Sequence, residues 1–145
     1  MRKLALLMFS LGFCLPQYVA AESAVILMYH RFGENQFPST NIRLEQLEAH
    51  IQELQSGPYT VLPVSEIISK INSETPLPDR TVGITVDDGF KSVYAEAWPR
   101  FRRANLPFTV FISTDPLDEK RVSYMTWDEV REMKAAGVDF GAHTA

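Results

Sequence analysis

Four side chains at the ends of apolar runs have the types and placement that chemistry would require. Asp87 and Asp88 follow Thr81-Val82-Gly83-Ile84-Thr85-Val86, His30 follows Ala24-Val25-Ile26-Leu27-Met28-Tyr29, and His143 ends Val138-Asp139-Phe140-Gly141-Ala142. Neighbouring carboxylates at a strand end point in different directions, so one can hold a metal ion while the other faces a water or a substrate. Gly89 lets the backbone turn sharply behind them. The letters Asp-Asp-Gly also make ordinary turns, and acids in this position equally serve to cap a following helix, whose N-terminus favours negative charge. The elements that carry these residues decide between the two uses.

Residues 24–29 form a continuous apolar run and read as a strand buried on both faces. Thr40 or Asn41 then caps a helix in which Leu44, Leu47, Ile51 and Leu54 recur at helical spacing, and Gly57-Pro58 ends it. Residues 59–62 are a short strand, and Ser65 caps a short helix with Ile67, Ile68 and Ile71 inside. Residues 73–80, with Pro76 and Pro78, form a loop before the third strand at 81–86. Val93, Tyr94, Ala97, Trp98 and Phe101 keep a helical period that Pro99 divides. A fourth strand spans 108–112, and residues 115–123 read as a charged loop. Thr126 and Glu129 form a capping box opening a helix that carries Val130 and Met133 and closes at Gly137. The fifth strand, 138–143, ends in His143.

Strand and helix alternate throughout, which predicts an α/β fold with parallel strands, a barrel or a doubly wound sheet. Such folds gather their ligand sites at the C-terminal ends of the strands. His30, Asp87, Asp88 and His143 all fall there, and oxygen and nitrogen donors converging on one rim would make a metal site. Each also has a plainer use: His30 as a surface or packing histidine, His143 as the polar end of a strand. His50, inside the first helix, reads as solvated, and Trp127 with Phe108 and Phe111 as core.

The chain's 145 residues suit one domain, and its 46% hydrophobic content can supply a core. Arg2 and Lys3, the apolar stretch 4–15 and Val19-Ala20-Ala21 form a secretory signal peptide over 1–21, leaving 22–145 as the exported domain. That stretch is too short for a comfortable membrane span. The expected destination is the periplasm, the cell envelope or the outside. Lipid attachment at Cys14 is disfavoured by the large Phe13 before it. Without Cys14 the exported chain has no disulfide and no thiol nucleophile, so nitrogen and oxygen must hold any metal. Loss of Arg2 and Lys3 leaves 12 basic residues against 18 acidic ones, a formal charge of −6, which argues against nucleic acid as a partner.

Taken in order, these segments resemble the polysaccharide deacetylase family, the carbohydrate esterases of family 4 that share the NodB homology domain. Thr85-Val86-Asp87-Asp88-Gly89 is similar to the family's Thr-Phe-Asp-Asp-Gly motif, with Val86 for phenylalanine. Gly141-Ala142-His143-Thr144 is similar to the start of its His-Ser/Thr-x-x-His motif. Met28-Tyr29-His30-Arg31, Phe108-Thr109-Val110-Phe111 and Thr126-Trp127-Asp128-Glu129 also resemble family members. The resemblance implies the N-terminal part of a distorted (β/α) barrel, truncated before closure. It implies Asp87 as the general base, Asp88 as a metal ligand and His143 as the first of two histidine ligands of a divalent ion, zinc being the expected one. His30 is a candidate substrate-binding residue. The second histidine belongs four residues after His143, beyond Ala145, and the general acid in later motifs.

The activity implied is hydrolysis of N-acetyl groups on an amino-sugar polymer such as poly-N-acetylglucosamine, a chitin-like chain or peptidoglycan, with weak metal binding and little turnover expected of these 145 residues alone. The alternative is a non-catalytic carbohydrate-binding or interaction module that keeps the fold. A magnesium-dependent phosphatase with a strand-end nucleophile is disfavoured, because that class wants one residue between its two acids.

Overall fold

The computed structural model describes residues 23–144. The signal peptide expected at 1–21, with Cys14, lies outside the described residues. Among the described residues no helix is long and apolar enough to cross a membrane.

Among the described residues seven strands and five α-helices run in the order β1 (Val25–Tyr29), β2 (Arg31–Phe32), β3 (Asn41–Ile42), α1 (Leu44–Ser56), β4 (Thr60–Val61), α2 (Val64–Asn72), β5 (Thr81–Asp88), α3 (Trp98–Ala104), β6 (Thr109–Ile112), α4 (Thr114–Asp118), α5 (Trp127–Ala135) and β7 (Asp139–Ala142). A π-helical turn, Val93–Ala97, leads directly into α3. The main sheet is entirely parallel, in the spatial order β1-β5-β6-β7, with β4 pairing with the first two residues of β5. β2 and β3 form a separate parallel pair.

β5 occupies the middle because its sequence tolerates burial on both faces. Residues 81–86 are all buried, and only the polar end, Asp87 and Asp88, reaches the solvent-accessible rim. On one face Val82, Ile84 and Val86 join Val110 of β6 in the core beneath α1 and α3. The aromatic centre of that core is Phe101 of α3, whose ring centroid lies 5.0 Å from Phe108 and 6.4 Å from both Tyr29 and Phe32. Ion pairs from Arg100 and Arg103 to Glu48, and a hydrogen bond from Gln55 to the Ala104 carbonyl, tie α1 to α3 at the surface. On the other face α2 approaches closely at Gly83. A Cβ there would come within 2.6 Å of Ile26 Cδ1 and 3.1 Å of Ile67 Cδ1, so no larger residue fits without displacing one of them.

Several expectations need correction. β1 is not buried on both faces: Val25 is 60% and Met28 61% exposed. Among the described residues β1 pairs with β5 alone at the edge of the sheet; Tyr29 is buried in the core under α1 and α3, and Leu27 packs partly against it. The cap of α1 is Arg43, not Thr40 or Asn41, because Asn41 is drawn into β3 and its Oδ1 accepts from the Glu34 N–H at 2.7 Å. α2 begins after Pro63, so Ser65 lies inside the helix, where its hydroxyl donates to Asp139 Oδ2 at 3.0 Å. Only Val64 and Ile67 of α2 are buried, while Ile68 and Ile71 are more than half exposed. The boundary expected at Pro99 falls between the π-helical turn and α3, but the two run on without a break, Pro99 lying in the first turn of α3. Residues 114–118, read partly as loop, form a short helix whose Pro116 and Leu117 are buried.

The capping box of α5 forms as expected. Thr126 Oγ1 accepts from the Glu129 N–H, and Glu129 Oε2 accepts from the Thr126 N–H at 2.8 Å. Partial burial raises the Glu129 pKa, but hydrogen bonds from Lys91 and the Thr126 backbone outweigh it and leave the carboxyl below its ordinary value.

Candidate active site

The register of the sheet explains how residues far apart in sequence meet. Met28 lies opposite Thr85 and Tyr29 opposite Val86, and continuing one step puts His30 beside Asp87. On the other side Asp87 pairs with Phe111, and Phe111 with Gly141. Side chains alternate between faces, so His143, two residues past Gly141, projects from the same face as Asp87. Three strand ends therefore deliver three side chains to one rim. His30 Nε2 approaches Asp87 Oδ2 to 3.9 Å and His143 Nε2 approaches the same oxygen to 3.7 Å. His143 Nδ1 stands 3.8 Å from Asp88 Oδ1.

These separations exceed hydrogen-bonding distance, and among the described residues neither aspartate side chain accepts a hydrogen bond. The Asp87 side chain is only 13% exposed, against 35% for His143. Asp87 is thus a recessed carboxylate flanked by two imidazoles, with its oxygens free to accept a proton or a hydrogen bond from a third molecule.

The backbone behind the acids is strained. Asp88 has φ of +70°, in the left-handed region that non-glycine residues rarely adopt, and the Gly89 N–H donates to the Asp87 carbonyl at 2.9 Å across it. This tight γ-turn separates the directions of the two carboxylates, and strain of this kind persists only where surrounding contacts enforce it. Two contacts do so: the Ser113 N–H donates to the Asp88 carbonyl and the Met125 N–H to the Gly89 carbonyl. Gly89 also has positive φ, +78°, and a Cβ there would press on Ile112 Cγ2 at 3.0 Å. Gly89→Ala is expected to cost about 1–3 kcal/mol of stability, read as a fall in the urea midpoint at unchanged slope. A loss under about 0.5 kcal/mol would mean that the turn is not held as tightly as these contacts suggest.

Asp88 Oδ1 and His143 Nδ1 offer the oxygen and nitrogen chemistry that zinc accepts; at 3.8 Å they stand wider than two ligands of a regular tetrahedral ion, about 3.4 Å apart, and the same Nδ1 lies 3.3 Å from the Thr144 hydroxyl. Among the described residues no group of three or more histidine, cysteine, aspartate or glutamate side chains gathers to hold an ion, so this pair is a partial ligand set. The structure brings together all four residues named from sequence. His50 remains exposed, although its Nδ1 lies 2.9 Å from the Tyr29 hydroxyl. Sequence reasoning passed over Arg31, whose guanidinium lies over the rings of Phe37 and Phe90 beside the site. Its position directly after His30 was the available signal.

Comparison with known proteins bears on the family and the fold. The family model for polysaccharide deacetylase matches residues 74–145. The poly-β-1,6-N-acetyl-D-glucosamine N-deacetylase of Staphylococcus aureus is 26% identical over 140 residues, covering 84% of this chain and 48% of that protein. A de-N-acetylase from Aggregatibacter actinomycetemcomitans superposes with a TM-score of 0.75 at 26% identity, over 83% of this chain and 54% of that one. IcaB from Ammonifex degensii gives 0.73 at 26% identity, over 86% and 54%. The chain spans about half the length of the curated relatives it matches. Its parallel sheet corresponds to the N-terminal portion of their (β/α) barrel. With the family model and the fold both matched, the chain belongs to the polysaccharide deacetylase family.

Proposed function

We propose that this chain forms the N-terminal part of the catalytic domain of an exported, metal-dependent deacetylase that removes N-acetyl groups from an amino-sugar polymer. The observation that carries the reading is the placement of Asp87 between His30 and His143, with Asp88 facing His143, at the C-terminal rim of a parallel sheet. The relatives' names supply the substrate class, of which poly-N-acetylglucosamine is one member.

Asp87 acts as general base. Its recessed carboxylate takes a proton from water as the water oxygen attacks the acetyl carbonyl carbon. The C–N bond then breaks, acetate leaves with the new oxygen, and the amine takes up one proton from a general acid, which this reading assigns to the family's later motifs. Asp88 and His143 would hold the divalent ion, which supplies Lewis-acid polarisation and a lowered water pKa when bound. The γ-turn at Asp88 keeps the two carboxylates in separate roles, and His30 faces the substrate. Export rests on the basic and apolar start of the chain, residues 2–15, and its small-residue site at 19–21.

Acetate release from an N-acetylated glucosamine oligomer by the full-length protein tests the reading. Chelation is expected to abolish release and zinc or another divalent ion to restore it. Full activity in the chelated protein would overturn the metal-dependent mechanism. The alternative, glycan binding without hydrolysis, predicts binding that neither chelation nor Asp88→Ala changes.

A further inference from the structure

We propose that Arg31 is a positioning residue that fixes His30 against Asp87 by bracing the segment after β1 to the segment after β5; this rests on the roles given above to His30 and Asp87. The Arg31 guanidinium lies between two aromatic rings, 3.4 Å from the centroid of Phe90 and 4.0 Å from that of Phe37. In the same position its Nη1 donates to Glu34 Oε2 at 2.7 Å. The other oxygen of that carboxylate, Oε1, accepts from the Ser92 hydroxyl at 2.6 Å. Ser92 Oγ in turn accepts from the Phe32 N–H at 3.2 Å, which closes the circuit one residue from its start. The Glu34 N–H is itself held by Asn41 Oδ1.

This circuit straddles the site. Arg31 and Phe32 directly follow His30, while Phe90 directly follows the Asp87-Asp88-Gly89 turn and Ser92 lies two residues further on. His30 needs such support, because among the described residues its ring makes no hydrogen bond and meets one charged partner, Asp87 at 3.9 Å. Consecutive side chains in extended backbone point to opposite sides, so seating Arg31 in its slot sets the direction of His30. The slot requires arginine. A planar guanidinium can stack on two rings and still donate in its plane to a carboxylate, which an ammonium cannot do. The Arg31 side chain is 11% exposed, and Glu34 offsets the cost of burying its charge.

Two measurements on the full-length protein test the brace. In NMR spectra of the histidine rings, Arg31→Lys is expected to shift and broaden the His30 signals and to leave those of His50 in place. Ser92→Ala, a milder break in the same circuit, is expected to move the His30 signals in the same direction by less. In acetate-release kinetics, Arg31→Lys is expected to raise KM about five-fold or more with kcat within about two-fold, and to add nothing in a His30→Ala background. His30 signals that stay fixed in both variants, or kinetic effects that add in the double variant, would overturn the proposal. Absence of acetate release from the wild-type protein would overturn the deacetylase reading and leave the brace to be judged by the His30 signals.

Discussion

Replacing Asp87 by asparagine is expected to lower acetate release by about 10²–10⁴-fold while the protein stays folded. Asparagine keeps the volume and one acceptor oxygen but cannot take up the proton of the attacking water at neutral pH. The effect should fall on kcat, since deprotonation belongs to the transition state and substrate binding does not depend on it. Stability should change little, because among the described residues no hydrogen bond to the Asp87 side chain is lost. A parallel zinc titration separates its role from that of its neighbour: Asp87→Asn should keep most of the affinity, whereas Asp88→Ala should lose it. If Asp87→Asn kept more than about a tenth of the wild-type kcat, Asp87 would not be the base.

Phe101→Ala is expected to cost about 3–5 kcal/mol, a large share of the stability of a domain this size. Phe101 is 1% exposed, and its ring meets Tyr29, Phe32 and Phe108, so truncation opens a cavity bounded by three other rings. The loss should appear as a lower urea midpoint, with a slope unchanged if the transition stays two-state. The cavity would also loosen the site, because Tyr29 and Phe32 flank His30 and Arg31. A cost below about 1 kcal/mol would show that the rings can close over the gap and that the core is not organised around Phe101.

Both predictions begin from residues whose identity was plain in the sequence but whose partners were not. The run at 81–86 was legible as a fully buried strand because it holds no charge and ends in two acids, and β5 is just that, in the middle of the sheet. The capping box at Thr126 was legible for a different reason: its hydrogen bonds join residues three apart and need no tertiary context. The apolar run of β1 misled, since hydrophobicity records what a segment could bury and not how many neighbours it receives. The exposure of Val25 and Met28 depends on which elements cover the edge of the sheet. Ser65 misled likewise, because the same hydroxyl that could cap α2 was claimed by Asp139, seventy-four residues later.

For the site, the sequence by itself determined the donors: two adjacent carboxylates and two imidazoles, each at the end of an apolar run, with no thiol available beyond Cys14. Local patterning suffices for that, because strand ends are visible where an apolar run meets polar residues. Tertiary structure alone decided that His30 and His143 approach Asp87 from its two sides, since that follows from parallel register across four strands. It also decided that Asp88 turns away at φ +70°, a conformation its own side chain disfavours and that contacts from Ser113 and Met125 to the turn's backbone impose.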